Sequence, residues 1–100
     1  MRIVLAVALA FVAHVLAPAA VSAHKGYAHY VGTVEKVDAE HIEVATEKGV
    51  VSFAIDSETV FLRKGKPAPR EDATVGTSIV VEAIKVDGDL LAREIHFVAR

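Results

Sequence analysis

Histidine is the residue type in this chain with the clearest potential for chemistry, since there are five histidines and no cysteine. His24 and His29 lie close together in the stretch His-Lys-Gly-Tyr-Ala-His. If a leader is removed after Ala23, His24 becomes the new N-terminus. Its free amine and its imidazole then chelate one Cu(II) or Ni(II) ion, with His29 as a third nitrogen ligand. The alternative is a flexible leader, residues 24–29, whose histidines are merely solvated.

His41, Glu94 and His96 form a second group of potential metal ligands. Glu94 and His96 are two residues apart in a predicted strand, so both side chains project from the same face. Together with His41 they are a candidate for a weak zinc site. The alternative is that all three are solvated, as polar side chains on outward faces usually are.

A basic segment is the third candidate site, and it contains Arg63, Lys64, Lys66 and Arg70. Its positive charge makes it a candidate contact surface for an anionic partner such as lipid headgroups. An envelope protein or another envelope component that docks on the domain is a further candidate partner. The alternative is a solvated loop.

Catalysis finds little support in the sequence. No serine or threonine lies in a nucleophile elbow or directly beside a histidine. Asp56 and Glu58 are a carboxylate pair in a predicted turn, where such residues usually shape the backbone. The glycine turns do not form a phosphate loop. We therefore expect a protein without enzymatic activity, without catalytic residues and without a bound organic cofactor.

The sequence also argues against nucleic acid as a binding partner. Barrels that bind single strands use a positive groove with stacking aromatic side chains. Residues 41–47 and 50–56 are predicted below as the second and third strands of a barrel. Their outward positions are instead mainly acidic or small: His41, Glu43, Ala45, Glu47, Ser52, Ala54 and Asp56. Such a surface repels phosphate, and we expect no nucleic-acid partner.

Residues 1–23 are typical of a secretory signal peptide. Arg2 supplies a positive charge, an apolar run covers residues 3–17, Pro18 interrupts it, and Val21-Ser22-Ala23 offers small residues where a signal peptidase cleaves. The alternative is an uncleaved membrane anchor, because this segment is nearly long enough to span a bilayer. Cleavage leaves a periplasmic or secreted domain with no stable membrane anchor.

The composition of the remaining chain predicts one small domain. Without Arg2 it carries ten Lys and Arg against thirteen Asp and Glu, so it is mildly anionic. Its size is near the lower limit for a domain that folds alone. Disulfides are excluded because cysteine is absent, and stability must therefore come from a well-packed apolar core.

The domain is organised around the predicted first strand, residues 30–38, which is rich in β-branched side chains. Val34 and Val37 are three residues apart and cannot both face inward in a regular strand. Either a β-bulge near Glu35 resets the alternation, or the strand bends at Gly32 so that its halves face different sheets. A regular strand with one exposed valine is the remaining alternative.

Alternating apolar residues and turn signals predict the other elements. Strands are expected at residues 41–47, 50–56, 77–86 and 90–98, and the apolar segment 60–62 is a candidate short strand. In the strand 77–86 apolar residues on both faces predict burial on both sides for part of its length. Residues 63–69 are predicted as loop and residues 70–73 as a single helical turn.

Three strands, a loop with a helical turn and a final hairpin follow the order of a five-stranded Greek-key barrel of the oligonucleotide/oligosaccharide-binding (OB) type. We predict an all-β domain over residues 30–100, a small five- to six-stranded antiparallel OB-like barrel preceded by the signal-peptide helix. The expected core includes Val34, Val44, Phe53, Val81 and Ile95.

Several short motifs in the same order resemble a known family. They are Gly32-Thr33-Val34 with Val37-Asp38, Ile42-Glu43-Val44, Gly65-Lys66-Pro67-Ala68, and Val75-Gly76 with Val80-Val81-Glu82-Ala83. The family consists of small exported bacterial domains catalogued as a domain of unknown function, and the resemblance covers residues 30–97. It implies an OB-like barrel and no particular activity or catalytic residue.

A weaker resemblance is to the periplasmic copper and silver chaperones of efflux systems, which are also small OB-type barrels. Those proteins are expected to bind metal through methionines, a histidine and a tryptophan. This chain has only Met1, inside the predicted leader, and no tryptophan. The chain therefore lacks the soft ligands of that family, and we do not expect a Cu(I) site of that kind. Two functions remain as expectations: a non-enzymatic binding or structural module of the cell envelope, and a periplasmic Cu(II)- or Ni(II)-binding protein that uses the N-terminal histidine.

Overall fold

The structure of the protein is a computed structural model that describes residues 27–98. The predicted signal peptide and His24 lie outside the described residues. Within the described part of the chain, no helix is long and apolar enough to cross a membrane.

Residues 27–98 form seven strands and one short 3₁₀ helix. The strands are β1 (Ala28–Val37), β2 (His41–Thr46), β3 (Gly49–Ala54), β4 (Val60–Arg63), β5 (Lys66–Pro67), β6 (Ser78–Val86) and β7 (Asp89–Phe97). The 3₁₀ helix covers Arg70–Asp72, where the helical turn was predicted.

The strands close into a barrel. Five of them are hydrogen-bonded in the order β3-β2-β1-β6-β7, and β3 pairs with β7 through Ala54 and Leu91 to complete the ring. The all-β, OB-like prediction is confirmed. The five strands of the closed ring agree with the predicted barrel, and β4 and β5 extend the sheet beyond β7. The β3–β7 and β4–β7 pairings are parallel, in contrast to the antiparallel pairing expected throughout.

β1 is shared by the two halves of the barrel, and it contains the bulge that was one of the alternatives considered from the sequence. Its first half pairs with β6 and its second half with β2. The register shifts between Val34 and Lys36, so Glu35 is the bulged residue. At Gly32 the backbone of β2 approaches so closely that a Cβ atom would overlap the carbonyl oxygen of Ala45. A strand shared in this way needs a bulge to reset its alternation and a glycine to let the two backbones meet.

The core is the one that the alternation predicts. Val34, Val44, Phe53, Val81 and Ile95 are all buried. The rings of Tyr30 and Phe53 meet edge-to-face with centroids 5.1 Å apart, a favourable arrangement for an aromatic pair. The other buried apolar residues are Ile42, Ile55, Phe61, Ala73, Ile79, Ala83, Ala92 and Phe97.

Burial of β6 differs from the expectation of two buried faces. Ile79, Val81 and Ala83 are buried, whereas the outward Val80 and Ile84 are only half-buried. The outer face of β6 is thus a surface of the domain, on which polar side chains can be reached from solvent.

The predicted loop at residues 63–69 is instead a hairpin between β4 and β5. Lys64 and Gly65 both have positive φ, 55° and 78°, as the tight two-residue turn of a hairpin requires. Pro67 is tolerated because β5 is an edge strand, where a missing backbone donor breaks no ladder.

The hairpin of β6 and β7 contains a second bulge, and this bulge sets the outer face of the sheet. Ala83 pairs with Ala92, but Glu82 pairs with Glu94, so Arg93 is the extra residue. The one-residue shift turns Ile95 inward together with Ala92. It also places Glu94 opposite Glu82 on the outside.

Candidate functional site

Four polar side chains meet on the outer face of β1, β6 and β7. His29 lies on β1 directly opposite Glu82 of β6, which lies directly opposite Glu94 of β7. His96 lies two residues beyond Glu94 on the same strand. We refer to His29, Glu82, Glu94 and His96 as the His–Glu cluster.

The two imidazoles of the cluster approach the same carboxylate oxygen. Nε2 of His29 lies 3.2 Å from Oε2 of Glu82, and Nε2 of His96 lies 3.4 Å from that atom. Nε2 of His96 is also 2.9 Å from Oε1 of Glu94. Glu82 is therefore the centre of the cluster, with side chains of β1 and β7 on either side.

The cluster is partly shielded from water. The side chain of Glu82 is only 18% exposed, whereas those of Glu94 and His96 are 37% and 33% exposed. Val80 and Leu62 are the cross-strand neighbours of His96, and both are half-buried. The central carboxylate thus lies in a shallow site with apolar neighbours on one side.

The charges in this arrangement favour a cation. Glu82 and Glu94 are cross-strand partners, and like charges directly opposite each other destabilise a sheet. With neutral imidazoles the cluster carries two negative charges. A bound divalent cation, or protonation of the histidines, would remove this repulsion.

Three of the side chains have the spacing of a metal site. One donor atom each from Glu82, Glu94 and His96 can be chosen so that all lie within 4.8 Å of one another. Zn²⁺ binds imidazole nitrogen and carboxylate oxygen at about 2.0–2.2 Å in a tetrahedron, whose ligands are then about 3.3–3.6 Å apart. The distances of 2.9 and 3.4 Å within the cluster need only small side-chain adjustments to admit such an ion.

The neighbours of the histidines in the structure differ from those expected from the sequence. Glu94 and His96 share an outward face as predicted, but their neighbours are Glu82 and His29. His41 starts β2 opposite Ala54 and is not among these contacts, which corrects the expected zinc grouping. His29 was expected in the leader, but β1 begins at Ala28 and holds it beside Glu82. The chelate of His24 stays a prediction.

Glu82 was missed because its partner depends on the bulge. Regular pairing counted back from the Asp87-Gly88 turn would place Glu82 opposite Arg93, an ordinary ion pair. The sequence does hold a signal, since the apolar residues Ala92 and Ile95 are three residues apart. The structure shows that both are buried. This is the same irregular spacing that predicts the bulge in β1.

The two arginines of the basic segment make contacts within the domain. Arg63 donates to Oδ2 of Asp72 at 2.9 Å and lies over the ring of Phe97. Arg70 donates to the backbone carbonyl oxygens of Asp38 and Ala39. These contacts fix the orientation of the two arginines, and the role of Arg63, Lys64, Lys66 and Arg70 as a contact surface stays a prediction.

His41 lies beside a turn that Asp38 organises. The Asp38 carboxylate accepts hydrogen bonds from the backbone N–H groups of Glu40 and His41, at 2.8 and 2.9 Å. These two bonds lower the pKa of Asp38 below its ordinary value. Because the folded-state pKa is depressed, the contribution of Asp38 to stability is present above the unfolded-state pKa and is lost as the pH falls through the folded-state pKa.

We expect Asp38→Ala to lower the urea midpoint at about pH 7 and to lower it less at about pH 2, because the stabilisation from the ionised carboxylate decreases as the pH falls below the unfolded-state pKa. Urea denaturation of both proteins at the two pH values measures this. Glu40→Ala, in the same turn, is the control, because no hydrogen bond of its carboxylate stabilises the turn. A difference between Asp38→Ala and the unaltered protein that is equal at both pH values would contradict the role of the carboxylate.

The chain matches a family model described as "Domain of unknown function (DUF5666)" over residues 31–96. These residues run from β1 to β7 and include Glu82, Glu94 and His96. No curated protein and no solved structure matches the chain.

Proposed function

This chain belongs to the family of that model, DUF5666, and we propose that it is a non-enzymatic binding module of the cell envelope whose ligand is a divalent transition-metal ion. The observation that carries the proposal is the approach of two imidazole nitrogens to one oxygen of Glu82, with Glu94 alongside. The envelope location rests on the signal-peptide character of residues 1–23.

The donor types indicate which ions the site selects. Imidazole nitrogen suits zinc, copper and nickel, whereas Mg²⁺ and Ca²⁺ prefer sites made only of oxygen. Cu(I) prefers thiolate or thioether sulfur, which the cluster lacks. Two carboxylates with neutral imidazoles balance the charge of one divalent ion. Zn²⁺ fits best, because it accepts mixed imidazole and carboxylate ligands and its d-electrons impose no geometry on them.

Zinc titration with Glu82→Gln tests the proposal. We expect the unaltered protein to bind one Zn²⁺ ion with a Kd below about 1 mM. Glu82→Gln keeps the shape of the side chain but removes the central negative charge. We expect this variant to bind zinc at least about 100-fold more weakly. That factor is the upper end of the loss caused by removing an outer-shell partner of a metal site. Isothermal titration calorimetry at neutral pH measures both values.

Glu43→Gln is the matched control, because it makes the same charge change on the outward face of β2, outside the cluster. It should leave the zinc affinity unchanged. Absence of zinc binding by the unaltered protein, or equal affinities for Glu82→Gln and Glu43→Gln, would overturn the proposal.

The predicted chelate at His24 is separated from the cluster by the same experiment. The mass of the exported protein should correspond to a chain that starts at His24, and His24→Ala should leave the cluster's zinc affinity unchanged. If His24→Ala abolishes metal binding and Glu82→Gln does not, the leader binds the metal ion and the His–Glu cluster is not the site.

A further inference from the structure

We infer that the metal ion is held by three protein ligands, Glu82, Glu94 and His96, and keeps one coordination position open for an external imidazole donor. His29 acts in this site as a positioning residue that holds the Glu82 carboxylate. The inference rests on the proposed metal-binding function and states how the site would work.

The geometry separates His29 from the three ligands. Glu82, Glu94 and His96 form the group whose donor atoms lie within 4.8 Å of one another. His29 adjoins this group from the β1 side, where its Nε2 lies 3.2 Å from Oε2 of Glu82. Carboxylates that bind a metal are commonly hydrogen-bonded by an outer-shell group, which fixes their orientation. A neutral His29 with its proton on Nε2 supplies such a bond.

The open position follows from the shape of the sheet. Glu82, Glu94 and His96 all project outward from the adjacent strands β6 and β7, so their donor atoms approach the ion from the sheet side. A tetrahedral ion on this three-atom base directs its fourth position away from the sheet. Sites with three protein ligands typically hold water or an external ligand there.

The neighbours of His96 indicate the class of external donor. Val80 and Leu62 lie beside His96 on the two adjoining strands and give that side of the site an apolar rim. A flat imidazole ring, such as a histidine side chain of a partner, can pack against this rim while its nitrogen binds the ion. A small hydrated anion gains no contact with the rim.

Cobalt spectroscopy tests the inference on the full exported protein. Co²⁺ replaces zinc in such sites and absorbs visible light in a way that depends on its ligands. We expect imidazole to change the absorption spectrum of the cobalt-loaded protein in a saturable manner, while ultrafiltration shows that the cobalt stays with the protein. An unchanged spectrum would mean that the protein fills every position and would overturn the open site.

Histidine variants test the role of His29. His29→Gln should bind Co²⁺ about 10- to 100-fold more weakly and, once saturated, should keep the spectrum of the unaltered protein. His96→Gln should change the spectrum itself because it removes a ligand. His41→Gln, outside the cluster, is the control and should change neither property.

The outcomes separate this inference from the proposed function. If His29→Gln changes the saturated spectrum as His96→Gln does, His29 is a ligand and the three-ligand site is wrong, while metal binding stands. If the unaltered protein binds neither Co²⁺ nor Zn²⁺, the proposed function fails and the inference fails with it.

Discussion

Phe53→Ala is expected to lower the free energy of unfolding by about 3–5 kcal/mol. Phe53 is fully buried in the core, and its ring meets that of Tyr30 edge-to-face. Truncation removes the buried ring and leaves a cavity that a closed barrel cannot collapse to fill. A domain of this size is stabilised by only about 5–10 kcal/mol in total. The variant should therefore be close to the limit of folding.

Urea denaturation followed by far-ultraviolet circular dichroism measures this loss. Val50→Ala is the matched control, because Val50 lies on the same strand but is 55% exposed. Its effect should stay within about 0.5 kcal/mol. Similar losses in the two variants would show that the interior of the barrel is not packed as described.

Gly32→Ala is the second substitution with a large expected effect, a loss of about 3 kcal/mol in the free energy of unfolding. The added Cβ would overlap the carbonyl oxygen of Ala45 and would lie 2.7 Å from Cγ1 of Val44. A side chain can rotate away from such a contact, but the Ala45 carbonyl belongs to the backbone of β2. Relief therefore requires β1 and β2 to separate where β1 passes from one half of the barrel to the other.

Thermal and urea denaturation of Gly32→Ala measure the effect, with Gly65→Ala as the control. Gly65 has no atom within 4 Å of the position of a Cβ, but its φ is 78°. Alanine there should cost only about 1–2 kcal/mol of backbone strain. If Gly65→Ala is the more damaging change, the close approach of the strands at Gly32 does not limit stability.

The core could be predicted because burial follows a local rule. Alternation in β2 and β3 identifies Val44 and Phe53 from neighbours one or two residues away, and both are buried. Glu35 and Gly32 were also identified locally, as the places where a regular β1 fails. The β4–β5 hairpin was missed because Pro67 argues against a strand, a rule that an edge strand escapes.

The His–Glu cluster was only half predictable. Glu94 and His96 share a face because they are two residues apart, which the sequence shows directly. His29 and Glu82 join them through the β1–β6 pairing and the bulge at Arg93. The residues around His29 predict neither the pairing nor the bulge, because closure of the whole barrel determines which strand pairs with β1.

The amino-acid sequence by itself determined an all-β domain, the side chains that face its interior and the irregular points of its first strand. The tertiary structure alone decided which outward side chains of different strands meet. The physical reason is that burial depends on the period of one strand, whereas a site between strands depends on register. Register is set by contacts between distant segments, and a single bulge changes it by one residue and so changes the partner of every side chain beyond it.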